Sequence, residues 1–465
     1  MKILNEILKD VTILESKGNV DISVSSISLD SREINQNSLF VALVGNVLDG
    51  HSFIDEVIEK GATVIVHEKD LNEWKPGVTY IKVADTHSAV GLIASNFYGN
   101  PSSKLKLVGV TGTSGKTTTA TLLHQLFRDL GYKAGLIGTV VNKINDKSEE
   151  AHRTTPDAVT LNDLLARMVD EGCEYCFMEV SSHSVCEGRI AGLHFVGGIF
   201  TNLSLDHLDY HKTLDNYCDA KKGFFDMISA TGFAIANIDD ERGQYMLSTT
   251  KAHTYTFSLK KSADFNERLE TKLIGEFNAY NILGIYAVAV LLGQDSDKVK
   301  EIIKTLETVP GRFQYIKSTN GITGIIDYAH KPDALENVLK TVNLMKGNHK
   351  LITVVGCGGD RDKSKRPIMA RIGYNMSDIL ILTSDNPRTE KPEEILAEMH
   401  TGIEDLPQDK VYVIVDRHEA IAKACLLARS NDFILVAGKG HENYQEINGV
   451  QTHFDDMEEL QKYLK

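Results

Sequence analysis

No apolar run in the chain approaches the ~20 residues needed to cross a bilayer as a helix. The first segment, Met1–Val11, alternates charged with apolar residues and lacks the core of a secretory signal. Together these absences predict a cytoplasmic protein without membrane insertion. Basic excess is missing too: 50 Lys and Arg against 64 Asp and Glu give a formal net charge of −14. A surface that neutralises nucleic-acid phosphates needs surplus cations, so nucleic acid is not the expected partner. Anionic small substrates remain open, provided positive charge is concentrated at the site. Cysteine is sparse, with six scattered residues. Cys173 and Cys176 form one C-x-x-C, with no second pair or histidines at ligand spacing. They read as reduced structural thiols rather than a zinc site. Internal repeats, low-complexity tracts and heptad runs are absent as well.

What is present centres on Gly112-Thr113-Ser114-Gly115-Lys116-Thr117-Thr118. The preceding Leu105–Val110 is short, apolar and rich in β-formers, as a buried strand would be. After the glycines, Leu122, Leu123, Leu126, Phe127 and Leu130 share one face at helical spacing, and Gly131 is a stop. Strand, glycine loop and helix form the setting of a phosphate-binding loop. Backbone N–H groups surround phosphate oxygens, Lys116 adds a point charge, and the Thr117 hydroxyl can hold Mg²⁺. The usual consensus has a glycine where this chain has Val110, so the loop is a variant. A bare glycine-rich turn is the alternative.

A length of 465 residues predicts roughly three domains. Residues 1–100 read as a small α/β unit. Phe53, Ile54, Val57 and Ile58 form a helix face there, and Ala62–Val66 a strand. Residues 101–310 begin with the phosphate loop. They add strands at Tyr175–Val180 and Val196–Thr201, whose ends would face the ligand crevice of a mostly parallel sheet. Thr308–Arg312 is turn chemistry. Residues 311–465 then alternate strands at Ile322–Asp327, Leu351–Gly356, Ile379–Ser384, Val411–Val415 and Phe433–Ala437 with helical patterns. The fold class is therefore α/β with three domains: a central P-loop parallel-sheet domain, flanked by a small N-terminal α/β domain and a C-terminal Rossmann-like domain.

Several residues could carry chemistry. Glu179 ends a buried strand facing the phosphate loop, where it is either a Mg²⁺ ligand or one half of an ordinary salt bridge. His207 lies in Asp206-His207-Leu208-Asp209-Tyr210-His211, either a cation site or a loop hydrogen-bond network. Lys221 reads by pattern as a solvated helix lysine. Three strand-end loops, Gly358–Lys363, Asp385–Arg388 and Gly438–Glu442, carry arginine, aspartate and glutamate together. Such a set suits a zwitterionic amino acid, arginine for carboxylate and acids for ammonium; charged surface loops are the alternative.

Taken together, Leu29–Arg32, Thr111–Thr118, Met178–His183, Asn202–His211, Asp327–His330, Gly356–Arg361, Asp385–Arg388 and Gly438–Glu442 resemble the Mur ligases of peptidoglycan synthesis, and the resemblance spans essentially the whole chain. It implies a UDP-N-acetylmuramoyl dipeptide held by the first domain, ATP with Mg²⁺ on the second, and an amino acid brought by the third. Leu29, Ser31 and Asn46-Val47-Leu48 match positions touching the UDP moiety. Thr154, Thr155, Ser181, Glu187 and Arg189 match positions holding the rest of that substrate, with Glu187 where glutamine is common. Asn278, Asn281, Arg312 and Asp327 match positions at the nucleotide. The family pattern makes Lys221 a carbamate formed with CO₂, joining Glu179 and His207 around one magnesium, with Thr117 near another; Lys116 and these three are then the catalytic set. The implied reaction is amide formation through an acyl phosphate. In the family, arginine closing Asp385-Asn386-Pro387-Arg388 goes with meso-diaminopimelate, whose far carboxylate Arg388 would grip; Arg361, Gly438 and Glu442 match other contacts to that end. L-Lysine as the amine is the nearest rival. Folylpolyglutamate synthetase shares only the central and C-terminal plan, and a non-catalytic ATP-binding regulator would not need the amino-acid loops. A monomer is expected.

Overall fold

The structure is a computed structural model in which residues 1–45 and 48–464 are described. The chain forms two compact units, one made of Met1–Leu203, Asp215–Glu267 and Gly284–Ile302, the other of Ser204–Leu214, Arg268–Leu283 and Ile303–Lys465.

The first unit contains two large sheets besides the two-stranded pair Lys2–Ile3 and Ser23–Val24. The five-stranded sheet runs Ile13–Lys17, Thr79–Val83, Ala62–His67, Ser38–Val41, Ser26–Ser28, and only the first strand is antiparallel to its neighbour. Leu39, Val41, Val64 and Val66 pack toward one core, while Phe40, Ile65 and Tyr80 pack toward a second on the opposite face. Burial on both faces explains why these strands are continuously apolar instead of alternating. The expected helix face begins one residue early: Phe53 closes a 3₁₀ turn, Gly50–Phe53, and the helix is Ile54–Glu59.

The second sheet of this unit has eight strands, in the order Lys147–Glu150, Val141–Ile144, Ala134–Ile137, Tyr175–Glu179, Lys106–Thr111, Gly197–Phe200, Phe233–Asn237, His253–Phe257. From Ala134–Ile137 onward neighbouring strands are parallel. The hairpin of Val141–Ile144 and Lys147–Glu150 was not read from the sequence. Strand Lys106–Thr111 lies between the other two expected strands, with Val110 opposite Glu179 and Thr111 opposite Phe200. Three strand ends thus open at one level, beneath the helix Lys116–Asp129. Gly109 in the central strand has a packing reason, since a Cβ there would stand 2.3 Å from the ring of Phe224. That ring anchors the helix Leu214–Asp226, which also carries Lys221.

The other unit holds a six-stranded sheet ordered Gln314–Lys317, Thr323–Asp327, Phe433–Ala437, Leu351–Val355, Ile379–Leu382, Val411–Val413. All pairs are parallel except the first. The five expected strands are found within two residues of their expected bounds; Gln314–Lys317 is additional. Apolar clusters cover both faces, one built on Leu335, Val338, Leu339 and Val342 of the helix Pro332–Lys346. Asp327, Ala437 and Val355 are in register, so the loops beginning at Tyr328, Gly438 and Gly356 leave the sheet side by side.

Candidate active site

The phosphate loop is built by backbone need. Gly112 has φ +146° and Gly115 has φ +87°, conformations that glycine adopts at little cost. A Cβ at Gly112 would also lie 1.9 Å from Thr201 Oγ1. Val110, by contrast, is a fully buried residue inside the strand, so the position needs no glycine and the variant loop loses nothing. The loop is pinned from the neighbouring strand end. The Thr113 N–H donates to Asn202 O at 2.8 Å, the Ser114 N–H to Asn202 Oδ1 at 2.9 Å, and Thr201 Oγ1 to Ser114 O at 2.7 Å. Lys116 Nζ lies over the loop, 2.7 Å from Gly112 O and 2.9 Å from Thr113 O. Thr117 and Thr118 are buried in the first turn of the helix. The N–H groups of that turn and the ammonium make a concave anion site.

Behind the loop sits Glu179, 1% exposed. Its carboxylate accepts from Thr117 Oγ1 at 3.0 Å and from the Thr139 N–H at 2.7 Å, with the Thr139 hydroxyl 3.1 Å away. Every one of these partners is neutral, and among the described residues no lysine, arginine or histidine forms an ion pair with it. Gly138 makes room, since its Cβ would meet Glu179 Oε1 at 2.7 Å. A buried carboxylate without a counter-charge, beside a hydroxyl, is a hard-oxygen donor set that suits Mg²⁺. No three acidic, histidine or cysteine side chains among the described residues form a metal-holding group. The sequence-expected Thr154, Thr155, Ser181, Glu187 and Arg189 converge on the same strand end. Thr155 Oγ1 donates to Glu179 O at 2.8 Å, the Ser181 N–H to Thr155 Oγ1 at 3.1 Å, and Arg189 Nη1 to Thr155 O at 2.9 Å. Thr154 shares the Thr139 hydroxyl at 3.0 Å, and Glu187 pairs with Arg189.

Lys221 corrects the reading from pattern alone. It is not solvated but 1% exposed, with Nζ donating to Gly112 O at 2.8 Å and lying 4.3 Å from the Tyr217 ring centre. Tyr217, in turn, reaches Thr113 Oγ1 at 3.2 Å. His207 belongs to the other unit. There Asp206 joins it at 3.0 Å and pairs with Lys331. Burial alone would raise the Asp206 carboxyl, but the His207 hydrogen bond and the Lys331 charge hold it well below the usual carboxylate range.

Among the residues matched to the UDP moiety, Leu29 and Ser31 flank Asp30, which Arg32 grips with two nitrogens, and Lys60 Nζ donates to Ser31 O at 2.9 Å. Asn46 and Val47 lie outside the described residues. Leu48 is 66% exposed, and its carbonyl accepts the Gly45 N–H at 2.9 Å. Asp49 anchors that turn through His51 and Lys69.

In the second unit Asp327 is buried, accepting the Phe313 N–H at 2.8 Å. Burial lifts its carboxyl to about 6, against the opposing pull of the Arg312 charge. The Arg312 guanidinium stacks 4.5 Å from the Tyr328 ring centre. Asn278 and Asn281 are buried at the start of the helix Glu276–Leu291, 3.3 Å apart through their side chains. The Asp385–Arg388 loop meets the Gly438–Glu442 loop. Asn386 Nδ2 donates to Glu442 Oε2 at 2.8 Å, and Gly438, at φ +119°, leaves room for Asp385, whose Oδ2 a Cβ would approach to 2.5 Å. Asp385 Oδ1 takes the Asn386 N–H at 2.7 Å. After Pro387 the chain turns at Arg388, φ +53°, whose N–H is held by Glu446 O at 3.0 Å and whose Nη1 donates to Gly359 O at 2.8 Å. Arg361 is exposed on the adjoining loop. Sequence reasoning missed Thr139, Thr201 and Glu446. It also missed the fully buried Arg417–Asp456 pair, which braces the loop by donating to Ser384 O and Ala437 O. None of these lies within a recognisable local pattern.

Comparison with known proteins decides the family. Residues 23–98 match the model described as Mur ligase family, catalytic domain, residues 110–289 the Mur ligase middle domain, and residues 311–440 the Mur ligase, glutamate ligase domain. The UDP-N-acetylmuramoyl-L-alanyl-D-glutamate–2,6-diaminopimelate ligase of Cytophaga hutchinsonii is 52% identical over 97% of each chain. The chain belongs to the Mur ligase family. Its Bacteroides fragilis relative of the same name is 51% identical, covering 99% of this chain and 98% of its own. A solved structure of a ligase so named superposes on this Mur ligase with a TM-score of 0.69 at 30% identity, covering 100% of this chain and 98% of that one. Mycobacterium tuberculosis folylpolyglutamate synthase shares the fold over 76% of this chain, with a TM-score of 0.60 at 16% identity.

Proposed function

We infer that this Mur ligase joins meso-diaminopimelate to UDP-N-acetylmuramoyl-L-alanyl-D-glutamate at the expense of ATP, in cytoplasmic peptidoglycan precursor synthesis. The observation that carries the reading is the meeting of the Asp385–Arg388 and Gly438–Glu442 loops, which joins an amide and two carboxylates, while the Arg388 guanidinium ends the same loop against Gly359 O and Glu446. An amino acid with a second zwitterionic end needs such a cluster; lysine has no second carboxylate, at its far end, to offer Arg388. The proposed division of labour gives residues 1–100 the uridine nucleotide, 101–310 ATP and 311–465 the amino acid, one large sheet to each.

In this reading the phosphate loop and Lys116 hold the ATP phosphates, with Asn278, Asn281, Arg312 and Asp327 at the rest of the nucleotide. Thr154, Thr155, Ser181 and Arg189 present the dipeptide's terminal carboxylate. That carboxylate attacks the γ-phosphorus, giving an acyl phosphate and ADP. The incoming amine then attacks the acyl carbon, phosphate leaves with the bonding pair, and the amine loses a proton. Lys116 offsets the charge that develops on the transferring phosphoryl group. One Mg²⁺ would be held by Glu179 and Lys221 as its carbamate, with Thr117 near a second, and would supply charge neutralisation at the phosphates; His207 is the ligand that the family pattern adds. Lys221 is suited to that modification: an amine must lose its proton to react with CO₂, and burial favours the neutral form.

Phosphate release tests the reading. It should require ATP, the muramyl dipeptide and meso-diaminopimelate together. Faster turnover with L-lysine than with meso-diaminopimelate would replace the proposed amine, and release without any amine would remove the ligase assignment of these sites.

A further inference from the structure

Glu442 has two carboxylate oxygens in different situations. Oε2 accepts from Asn386 Nδ2 at 2.8 Å and from Lys439 Nζ at 3.1 Å. Oε1 has a single contact among the described residues, the Tyr328 hydroxyl at 3.5 Å. Lys439 itself is fully buried, rare for an ammonium. Besides Glu442 it donates to Asn386 Oδ1 at 3.0 Å, and its Nζ lies 5.3 Å from the centre of the Tyr444 ring. The Asn386 oxygen also receives the Glu446 N–H at 3.0 Å. Two donors on Oδ1 fix which end of the Asn386 amide faces Glu442, since a flipped amide would set its NH₂ against an ammonium and an N–H.

We propose that Lys439 is a positioning residue for the amino-acid substrate: it locks Glu442 Oε2 and the Asn386 amide in one arrangement, so that Glu442 Oε1 is presented to an ammonium group of that substrate. The inference rests on the proposed reading of these loops as the amino-acid site. The charges agree with it. Arg388 is paired with Glu446 at 3.6 Å, so Asp385 and Glu442 are two carboxylates against one buried ammonium, and the surplus negative charge fits a cationic ligand group. Burial and the Asp385 charge push the Glu442 carboxyl upward, while Lys439 opposes them and favours the charged form. A lysine spent inside the cluster cannot also bind substrate carboxylate, which leaves that task to Arg388.

The test compares Lys439→Met, Glu442→Met and the double variant, with KM measured for each of the three substrates. Lys439→Met should raise the KM for meso-diaminopimelate by about tenfold or more while the KM for ATP and for the muramyl dipeptide moves less than about twofold. The double variant should match Glu442→Met within about twofold, because Lys439 acts through Glu442. It removes both charges and leaves no unpaired ion, so it is expected to fold even if Lys439→Met does not. An unchanged diaminopimelate KM in Lys439→Met, or a further tenfold rise in the double variant over Glu442→Met, overturns the proposal. Failure of the underlying reading looks different: wild-type protein itself would show no saturation by meso-diaminopimelate.

Discussion

Two site carboxylates, one in each unit, are stabilised in opposite ways: Glu179 is buried at a strand end, and Glu442 is half-buried in a loop. Glu179 is surrounded by hydroxyls and a backbone N–H, all neutral. Glu442 is held by a buried ammonium and a side-chain amide. Hydrogen bonds from neutral donors satisfy a carboxylate's lone pairs but leave its charge in place, whereas an ion pair cancels it. The first arrangement keeps an anion ready for a cation that arrives with the nucleotide. The second uses charge to fix geometry before any ligand is present. Replacing each carboxylate's environment should therefore fail in different currencies: turnover at Glu179, affinity at the Glu442 loops.

The largest effect is expected from the charge itself. Glu179→Gln keeps the shape and removes the anion, so kcat should fall on the order of 10⁴-fold. Thermal stability should change little, as neutral donors already surround the site. A loss under tenfold would show that the uncompensated charge is not what the site uses. Lys221→Ala should lower kcat nearly as far, without rescue by bicarbonate. A separate readout follows the modification: wild-type protein in ¹³C-bicarbonate should give a carbamate resonance that the variant lacks. Full activity in the variant would remove Lys221 from the catalytic set.

On the recognition side, Arg388→Ala should raise the KM for meso-diaminopimelate by about 10²-fold with that for ATP nearly unchanged, because a site built around a guanidinium loses a paired carboxylate contact. Equal effects on both substrates would assign Arg388 to the fold rather than to selectivity. The side chain also holds Gly359 O at 2.8 Å, so Arg388→Lys is the sharper variant: it retains a cation yet loses the fork.

The same contrast explains what could be read in advance. Periodic burial is written locally, so the strand Lys106–Thr111, the helix Lys116–Asp129 and the five parallel strands of the last region emerge from residue spacing alone. The phosphate loop is local too, and so was legible. Thr139, which donates to Glu179 across 40 positions, and Arg417, which meets Asp456 across 39, carry no signal in their own neighbourhoods. Lys221 was misread for a related reason. Its helix shows Lys221 and Lys222 side by side, yet Phe224 and Phe225 turn that face into the core and bury both lysines. The hairpin Val141–Glu150 escaped because its second strand, Lys147-Ser148-Glu149-Glu150, has no apolar alternation, being an exposed edge. The residues alone left Glu179 and His207 open between cation ligand and structural partner, and only family resemblance put Arg312 and Asp327 at the nucleotide, since nothing local separates a catalytic carboxylate from a structural one.

Asp327, buried at a strand end like Glu179, is the third carboxylate and completes the comparison with the smallest effect. Here burial outweighs the charge of Arg312 and the N–H of Phe313, and the carboxyl is lifted to about 6. An aspartate in the unfolded chain titrates near 4. Between these values the folded protein binds more protons than the unfolded one, so the slope of unfolding free energy with pH is negative. Asp327 therefore costs no stability below pH ~4, and the cost grows to its full size, about 3 kcal/mol, as pH rises through ~6. Asp327→Asn keeps an acceptor for the Phe313 N–H and carries no charge at any pH. Denaturant unfolding at pH 4.5 and pH 7 should show the variant losing about 2 kcal/mol less than the wild type across that interval. An equal loss in both would mean that Arg312 cancels the burial of Asp327, which would then resemble Glu442 rather than stand apart from it. If the slope does disappear while ATP affinity falls, the carboxylate is retained at a cost in stability because the nucleotide site needs its charge.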